Sequence, residues 1–152
     1  MFMTAYRHIL LTADFSEDGA SIAVRAQSLA ASYRAKLSIL HVLDDIPMPD
    51  TPYGTVIPVD QPSEYGLLEA ERGKLLALGA ELGVASADLW LIWGVPKDEI
   101  VRHAEKIAAD LIVTGSHERH GLTLLLGSTA NGVLHHAPCD LLAVRIPDDE
   151  GI

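Results

Sequence analysis

Leu111-Ile112-Val113-Thr114-Gly115-Ser116-His117 is the stretch that decides the fold, because a short apolar run leads directly into a glycine turn. Continuously apolar runs of this length are typical of parallel strands buried on both faces. Glycine returns at Gly127, and the Ser128 and Thr129 that follow suit the start of a helix. A glycine-rich turn between a strand and a helix presents backbone N–H groups to anions such as phosphate. The segment therefore suggests a phosphate-binding loop, but Glu118 places a carboxylate inside it.

Four other apolar runs occur along the chain, and stretches with helical spacing of apolar residues separate them. Strands are predicted at 9–13, 37–42, 88–93, 110–114 and 139–146, and helices are predicted to begin near 16, 63, 96 and 128. Strands that alternate with helices in this way form a parallel sheet with right-handed crossovers. We therefore predict an α/β fold with an open five-stranded parallel sheet and helices on both faces.

The segment from 44 to 62 interrupts this alternation, because it contains five prolines. Proline lacks a backbone donor and breaks helices and strands, so this density is predicted to forbid regular structure. Long unstructured connections in compact domains are often lids or linkers. We expect either a mobile flap over a site or a solvated linker.

The composition fits one folded domain and excludes several classes of partner. The 152 residues suit a single core, and we assign 1–147 to one domain and 148–152 to an acidic tail. The formal net charge of -10 argues against nucleic acid as a partner, because non-specific binding to DNA or RNA requires a basic surface. No apolar run approaches the roughly 20 residues that span a bilayer, so no membrane partner is expected.

The chain begins without the basic segment and apolar core of a signal peptide, and its single cysteine is Cys139. One cysteine excludes an internal disulfide framework and suits a reducing compartment. We therefore expect a cytoplasmic protein.

Several segments, taken in order, carry a family resemblance. They are 9–16, Leu40-His41-Val42, Gly94-Val95-Pro96, 109–117, 124–130 and 136–144. Through them the chain resembles the universal stress protein family over essentially its whole length. With the five predicted strands numbered in chain order, the resemblance implies a sheet of order 3-2-1-4-5, of the adenine-nucleotide alpha hydrolase-like kind. It also implies a homodimer and a regulatory role in stress response, without an established general chemistry.

The resemblance further implies an ATP or AMP site, with Mg, at the edge of the sheet where the strands end. Nucleotide-binding members look like G-x2-G-x9-G-[ST] across the last loop. Here Gly115-x2-Glu118-x8-Gly127-Ser128 lacks the second glycine and is one residue shorter. The residues implied are Thr12, Ala13, Asp14 and Val42 around adenine and ribose, Thr114 and Gly115 near the ribose and first phosphate, and Gly127, Ser128 and Thr129 at the phosphates.

Glu118 also falls within this implied site, but its carboxylate opposes the binding of phosphates. Two like charges about 4 Å apart repel by roughly 1 kcal/mol in water and about 4 kcal/mol at an effective dielectric constant near 20. Such repulsion weakens ATP binding by about one to three decades. Arg119, His117 and His120, or a divalent cation, would offset part of it. The two histidines lack a third strong ligand at informative spacing, so a polar loop is favoured over a metal site.

Three classes of function remain open from the sequence. The first is a regulatory or binding module with a nucleotide site. The second is an enzyme, either a slow ATPase or a phosphate-ester hydrolase. The chain has no G-x4-G-K-[ST] loop and no legible nucleophile and base, so no catalytic residue is assigned. The third is an interaction protein whose flap or acidic tail contacts a partner.

The last predicted strand is expected at an edge of the sheet. Residues 141–146, which begin with Leu141-Leu142, would then leave one row of backbone groups unpaired. Pairing with the same strand of a second subunit satisfies both rows, and two-fold dimers are the commonest closed assemblies. We therefore expect a homodimer through this strand.

Overall fold

The computed structural model describes residues 5–15, 19–44, 46–48, 50–115 and 128–145. The strands are β1 (His8–Thr12), β2 (Lys36–Leu43), β3 (Thr55–Ile57), β4 (Leu89–Trp93), β5 (Leu111–Gly115) and β6 (Asp140–Val144). The α-helices are α1 (Gly19–Tyr33), α2 (Gly66–Leu82), α3 (Pro96–Lys106) and α4 (Ser128–His136). The strands form one sheet of order β3-β4-β2-β1-β5-β6.

The five parallel strands have the order that was predicted. β1 pairs with β2 and β5, while β4 joins β2 and β6 joins β5. Without β3, the order β4-β2-β1-β5-β6 is the expected 3-2-1-4-5, and the α/β class is confirmed. The chain adds strands on one side of β1 and later crosses to the other side, so the strand order reverses between β1 and β5.

The prediction that prolines exclude regular structure from 44–62 is wrong at β3, which runs antiparallel to β4. Its three residues fit between Pro52 and Pro58. Gly54 has a φ of 93° and donates its N–H to the carbonyl oxygen of Trp93 at 2.6 Å. Proline is tolerated at sheet edges and strand ends, so a very short edge strand is compatible with this sequence.

Helices cover both faces of the sheet, which explains why its central strands are continuously apolar. Side chains alternate between the faces along a strand. Ile9 and Leu11 pack with α1 and α2, whereas Leu10 packs with α3 and α4. Leu75 of α2 and Val133 of α4 are fully buried against their respective faces. Each face therefore has its own apolar core.

The start of α2 differs slightly from the expectation, because the helix begins at Gly66 rather than near residue 63. Ser63 instead closes a turn: its N–H donates to Glu69 Oε1 at 2.7 Å, and its Oγ accepts from the N–H of Tyr65 at 3.1 Å. The helix ends at Leu82 and is capped by Gly83, whose φ of 72° is the left-handed conformation that glycine adopts most easily.

The starts of α3 and α4 follow the sequence pattern, since α3 begins with Pro96 and α4 with Ser128. The helix start predicted near residue 16 lies outside the described residues. Among the residues described, no helix has both the length and the apolar character needed to cross a membrane. The acidic tail predicted at 148–152 lies outside the described residues, and the division into one domain and a tail stays a prediction.

Candidate functional site

The carboxyl ends of β1 and β5 meet at the point where the strand order reverses. Leu11 lies beside Val113 in the ladder, so the next residues of both strands are neighbours. Thr12 Oγ1 donates a hydrogen bond to Thr114 Oγ1 at 2.8 Å. Gly115 then ends β5. The fold thus brings together residues that the sequence assigned to one site from opposite ends of the chain.

The chain turns sharply after β1. The N–H of Ala13 still donates to the carbonyl oxygen of Leu40 at 2.9 Å. Phe15 has a φ of 57°, a conformation that is rare for a side chain of this size. Its ring packs edge to face on the ring of His41, with 4.7 Å between centroids. This turn places the exposed Asp14 at the edge of the sheet.

A pocket of about 360 Å³ lies beside this turn. Residues 11–15 form one wall, and α1 and α2 form the others. Apolar side chains dominate the lining, and its charged members among the described residues are Asp14, Lys74 and Glu81. Small-molecule sites typically enclose about 300–1,000 Å³ and combine apolar walls with a few polar groups. The pocket therefore has the size and the character expected for a small-molecule site.

His41 connects the turn to α2. Its Nδ1 donates to the carbonyl oxygen of Ala13 at 2.7 Å, and its Nε2 lies 2.9 Å from Glu71 Oε1. Lys74 Nζ lies 2.8 Å from the second oxygen of Glu71. Burial raises the pKa of Glu71, but hydrogen bonds from Lys74 and His41 outweigh it and leave that pKa below its ordinary value. Glu71 is therefore a carboxylate held from both sides.

Glu71 and Lys74 were not among the residues expected from the sequence. One signal was available, because a histidine inside a strand buried on both faces requires hydrogen-bond partners. The spacing of Glu71 and Lys74 also places them on one side of a helix. Their partner in β2 depends on how α2 packs across the sheet, and no local pattern encodes that packing.

Val42 lies on the opposite face of the sheet from the pocket. Its side chain is buried in the core with α3 and α4, whereas Ala13 packs on the core with α1 and α2. The structure therefore does not bring the Val42 side chain to the pocket.

Ser128 and Thr129 open α4, where backbone N–H groups and the helix dipole suit a phosphate. Two further expected site residues lie outside the described residues: Glu118 and Gly127.

Residues 5–145 match the family model described as the universal stress protein family. The chain belongs to this family. Universal stress protein A homolog 1 of Coxiella burnetii is 39% identical over 141 residues, which cover 91% of this chain and 96% of that protein. Homolog 2 of the same organism is 38% identical over 122 residues, which cover 80% of this chain and 82% of the relative. The resemblance drawn from the motifs is confirmed.

Solved structures of other proteins share the fold of this universal stress protein. A universal stress protein in complex with cAMP matches with a TM-score of 0.65 at 25% identity, over 93% of this chain and 98% of the other. Hypothetical protein MJ0577 matches with a TM-score of 0.72 at 24% identity, over 95% and 99%. UspA from Lactobacillus plantarum matches with a TM-score of 0.62 at 24% identity, over 94% and 100%.

Proposed function

We propose that this universal stress protein is a dimeric, cytoplasmic regulatory module of the stress response that binds ATP or AMP at the carboxyl ends of β1 and β5. The observation that carries the proposal is the pocket of about 360 Å³ whose wall includes Thr12, Ala13 and Asp14. The family resemblance assigns these positions to the adenine and ribose. A relative in complex with cAMP supports the same class of ligand.

The residues present fit an adenine nucleotide chemically. The apolar part of the pocket suits the faces of a base, and the carboxylate of Asp14 accepts hydrogen bonds from hydroxyl or amino groups. The end of β5 beyond Thr114 adjoins the same wall, where a ribose and first phosphate would lie. The remaining phosphates would reach Ser128 and Thr129 in the first turn of α4. Mg²⁺ accompanying ATP would neutralise part of their charge.

The proposed site is weak because Glu118 stands at the second glycine of the family motif. Its carboxylate repels the phosphates, and its β-carbon restricts the close backbone approach that glycine allows. A site of this kind fills only at high nucleotide concentration, so its occupancy follows large changes in that concentration.

Titration of the isotope-labelled native chain with Mg-ATP and AMP, followed by the amide signals in nuclear magnetic resonance, tests the binding site. We expect progressive shifts at residues 12–15 and at Gly115, with little change at His8 on the opposite end of β1. Glu118→Gly should give the same shifts at lower concentration. Unchanged spectra for both chains up to roughly 10 mM nucleotide would contradict the proposal and favour an interaction protein with an empty pocket.

The proposed dimer uses the free edge of β6. In the described part of the chain β6 pairs with β5 alone, which leaves its other side available to a second copy. Sedimentation should give twice the mass of one chain. Ala143→Pro removes a backbone donor from β6, and a matched Val56→Pro does the same at the opposite edge. We expect the first variant, and not the second, to shift the mass toward the monomer.

The alternative function is a nucleotide-dependent enzyme. A serine–histidine pair occurs in the described part of the chain, since Ser38 Oγ lies 2.7 Å from His8 Nε2. His8 Nδ1 lies 3.1 Å from the Ile107 carbonyl oxygen. Ser38 is only 1% exposed, and His8 begins β1 at the end of the sheet away from the pocket. The pair therefore does not support hydrolysis. Accumulation of ADP during incubation with Mg-ATP would favour the enzyme.

A further inference from the structure

One buried side chain holds the turn that forms the pocket wall. His41 Nδ1 contacts the Ala13 carbonyl oxygen at 2.7 Å, and the His41 ring packs against Phe15. The side chain of His41 is only 8% exposed. Left-handed backbone such as that of Phe15 persists only where its surroundings fix it. The two contacts of His41 supply that constraint.

The same histidine begins a chain of polar contacts that returns to the pocket. His41 Nε2 contacts Glu71 Oε1 at 2.9 Å, and Glu71 Oε2 contacts Lys74 Nζ at 2.8 Å. Ala13 and Lys74 both line the pocket. These contacts therefore start at Ala13 and end at Lys74, which both lie in the pocket lining. They connect the turn after β1 with β2 and α2.

The partners of the two ring nitrogens determine where His41 must carry a proton to make each hydrogen bond. A carbonyl oxygen only accepts, so the bond to Ala13 requires a proton on His41 Nδ1. An ionised carboxylate also only accepts, so the bond to Glu71 requires a proton on Nε2. Both ring nitrogens therefore face acceptors, and a hydrogen bond to an ionised carboxylate is shorter and stronger than one between neutral groups. Rotation of the ring would break both bonds at once.

We infer that His41 is the positioning residue of the nucleotide pocket, because it fixes the Ala13 carbonyl directly and the Lys74 ammonium through Glu71. The inference rests on the proposed function for the identity of the ligand. It assigns no contact between His41 and the nucleotide. The wall formed by residues 13–15 has its binding conformation only while His41 holds it.

Two substitutions of His41 test its Nδ1 contact and its Nε2 contact separately. The amide nitrogen of asparagine can replace Nδ1, so His41→Asn keeps a donor for Ala13. The amide nitrogen of glutamine replaces Nε2, so His41→Gln keeps the contact with Glu71 and loses the one with Ala13. We expect the dissociation constant for Mg-ATP to rise about threefold in His41→Asn and at least about tenfold in His41→Gln.

His8→Gln is the matched control. His8 also contacts a carbonyl oxygen through Nδ1 and a side-chain oxygen through Nε2, but it lies at the other end of the sheet. This variant should lose thermal stability while its affinity for ATP stays at the native value. A similar loss of stability in His41→Gln would then not account for its weaker binding.

The amide signals of Asp14 and Phe15 give a readout that does not depend on any ligand. They should move in His41→Gln and stay near their native positions in His41→Asn and His8→Gln. Native affinity together with unmoved Asp14 and Phe15 signals in His41→Gln would overturn the inference. If the native chain and Glu118→Gly both fail to bind nucleotide, the proposed function fails, and these ligand-free signals still decide the role of His41.

Discussion

Thr12 Oγ1 and Thr114 Oγ1 lie 2.8 Å apart, and this hydrogen bond joins the ends of β1 and β5 at the reversal of strand order. The contact connects a residue near the start of the chain with the strand that precedes the glycine loop. It fixes the spacing between the turn that lines the pocket and the place where a phosphate loop would begin. Both threonines belong to the site that the family resemblance implies.

Thr114→Val should weaken both the fold and nucleotide binding. Thr114 is 6% exposed, so valine fits its shape but leaves the Thr12 hydroxyl without its acceptor. We expect a loss of about 1 kcal/mol in the free energy of unfolding, measured with urea. Affinity for Mg-ATP should fall about threefold to tenfold. Thr55→Val in β3 is the control, because it removes a 2.7 Å hydrogen bond to the carbonyl oxygen of Pro52. This variant should leave the affinity for Mg-ATP unchanged.

Two glycines of α2 should respond to alanine in opposite directions. A Cβ at Gly79 would lie 2.7 Å from Leu89 Cδ1, whereas a Cβ at Gly73 would meet nothing within 4 Å. Gly79→Ala should therefore cost about 1–2 kcal/mol of stability through overpacking against β4. Gly73→Ala should add about 0.5–1 kcal/mol, because alanine favours the helix. Equal effects in denaturant unfolding would contradict this packing of α2.

His103 should make the protein lose stability in mild acid. Its side chain is 2% exposed and packs on Trp90, and its Nε2 has no hydrogen-bond partner among the described residues. Burial, with a smaller contribution from Lys106, lowers the pKa of His103 from 6.5 to about 4. The folded protein therefore holds the neutral ring, while the unfolded chain binds a proton below its own higher pKa.

The stabilisation from neutral His103 is complete above pH 6.5 and is lost as the pH falls toward 4, where the folded form also titrates. The loss over this window is on the order of 3 kcal/mol. His103→Leu should reduce the pH dependence of the free energy of unfolding, measured with urea, between pH 6.5 and 4. A smaller slope should remain, because burial and Lys36 also lower the pKa of His8. An unchanged slope in His103→Leu would contradict the assignment.

Cys139 should react slowly with thiol reagents. Burial, and to a lesser degree Asp140 and Asp110, raises the pKa of its thiol from 9.0 to about 11. The reactive thiolate is therefore about a hundredfold scarcer at pH 8 than in an ordinary cysteine. The rate of labelling by Ellman's reagent, compared with that of urea-unfolded protein, checks this. Equal rates in the two states would show that the thiol is neither buried nor protected.

The alternation of strands and helices was sufficient to predict a parallel sheet with helices on both faces, and the family resemblance supplied the order of its strands. The placement of Thr12 beside Thr114 followed from the same reasoning. The face of Val42 was also predictable in principle, since residues two apart share a face and Leu40 points to α3 and α4. The assignment of Val42 to the adenine and ribose rests on the family resemblance and stays a prediction.

Two other features could not be predicted from local pattern. β3 is three residues long, and it exists only because β4 offers an edge to which it can pair. The contact between His41 and Glu71 joins positions 30 residues apart through the packing of α2 over β2. Both features depend on tertiary structure, which composition and periodicity do not specify.

Thermal unfolding of the native chain and of Glu118→Gly, each with Mg-ATP, with AMP and without ligand, decides whether Glu118 weakens nucleotide binding to this chain. We expect a small or absent increase in Tm for the native chain at micromolar ATP and a larger increase for the variant. The reason is that removing the carboxylate relieves the repulsion of the phosphates and restores the motif glycine. A strong increase in Tm for the native chain at micromolar ATP, or no increase in Tm for either chain, would contradict this expectation.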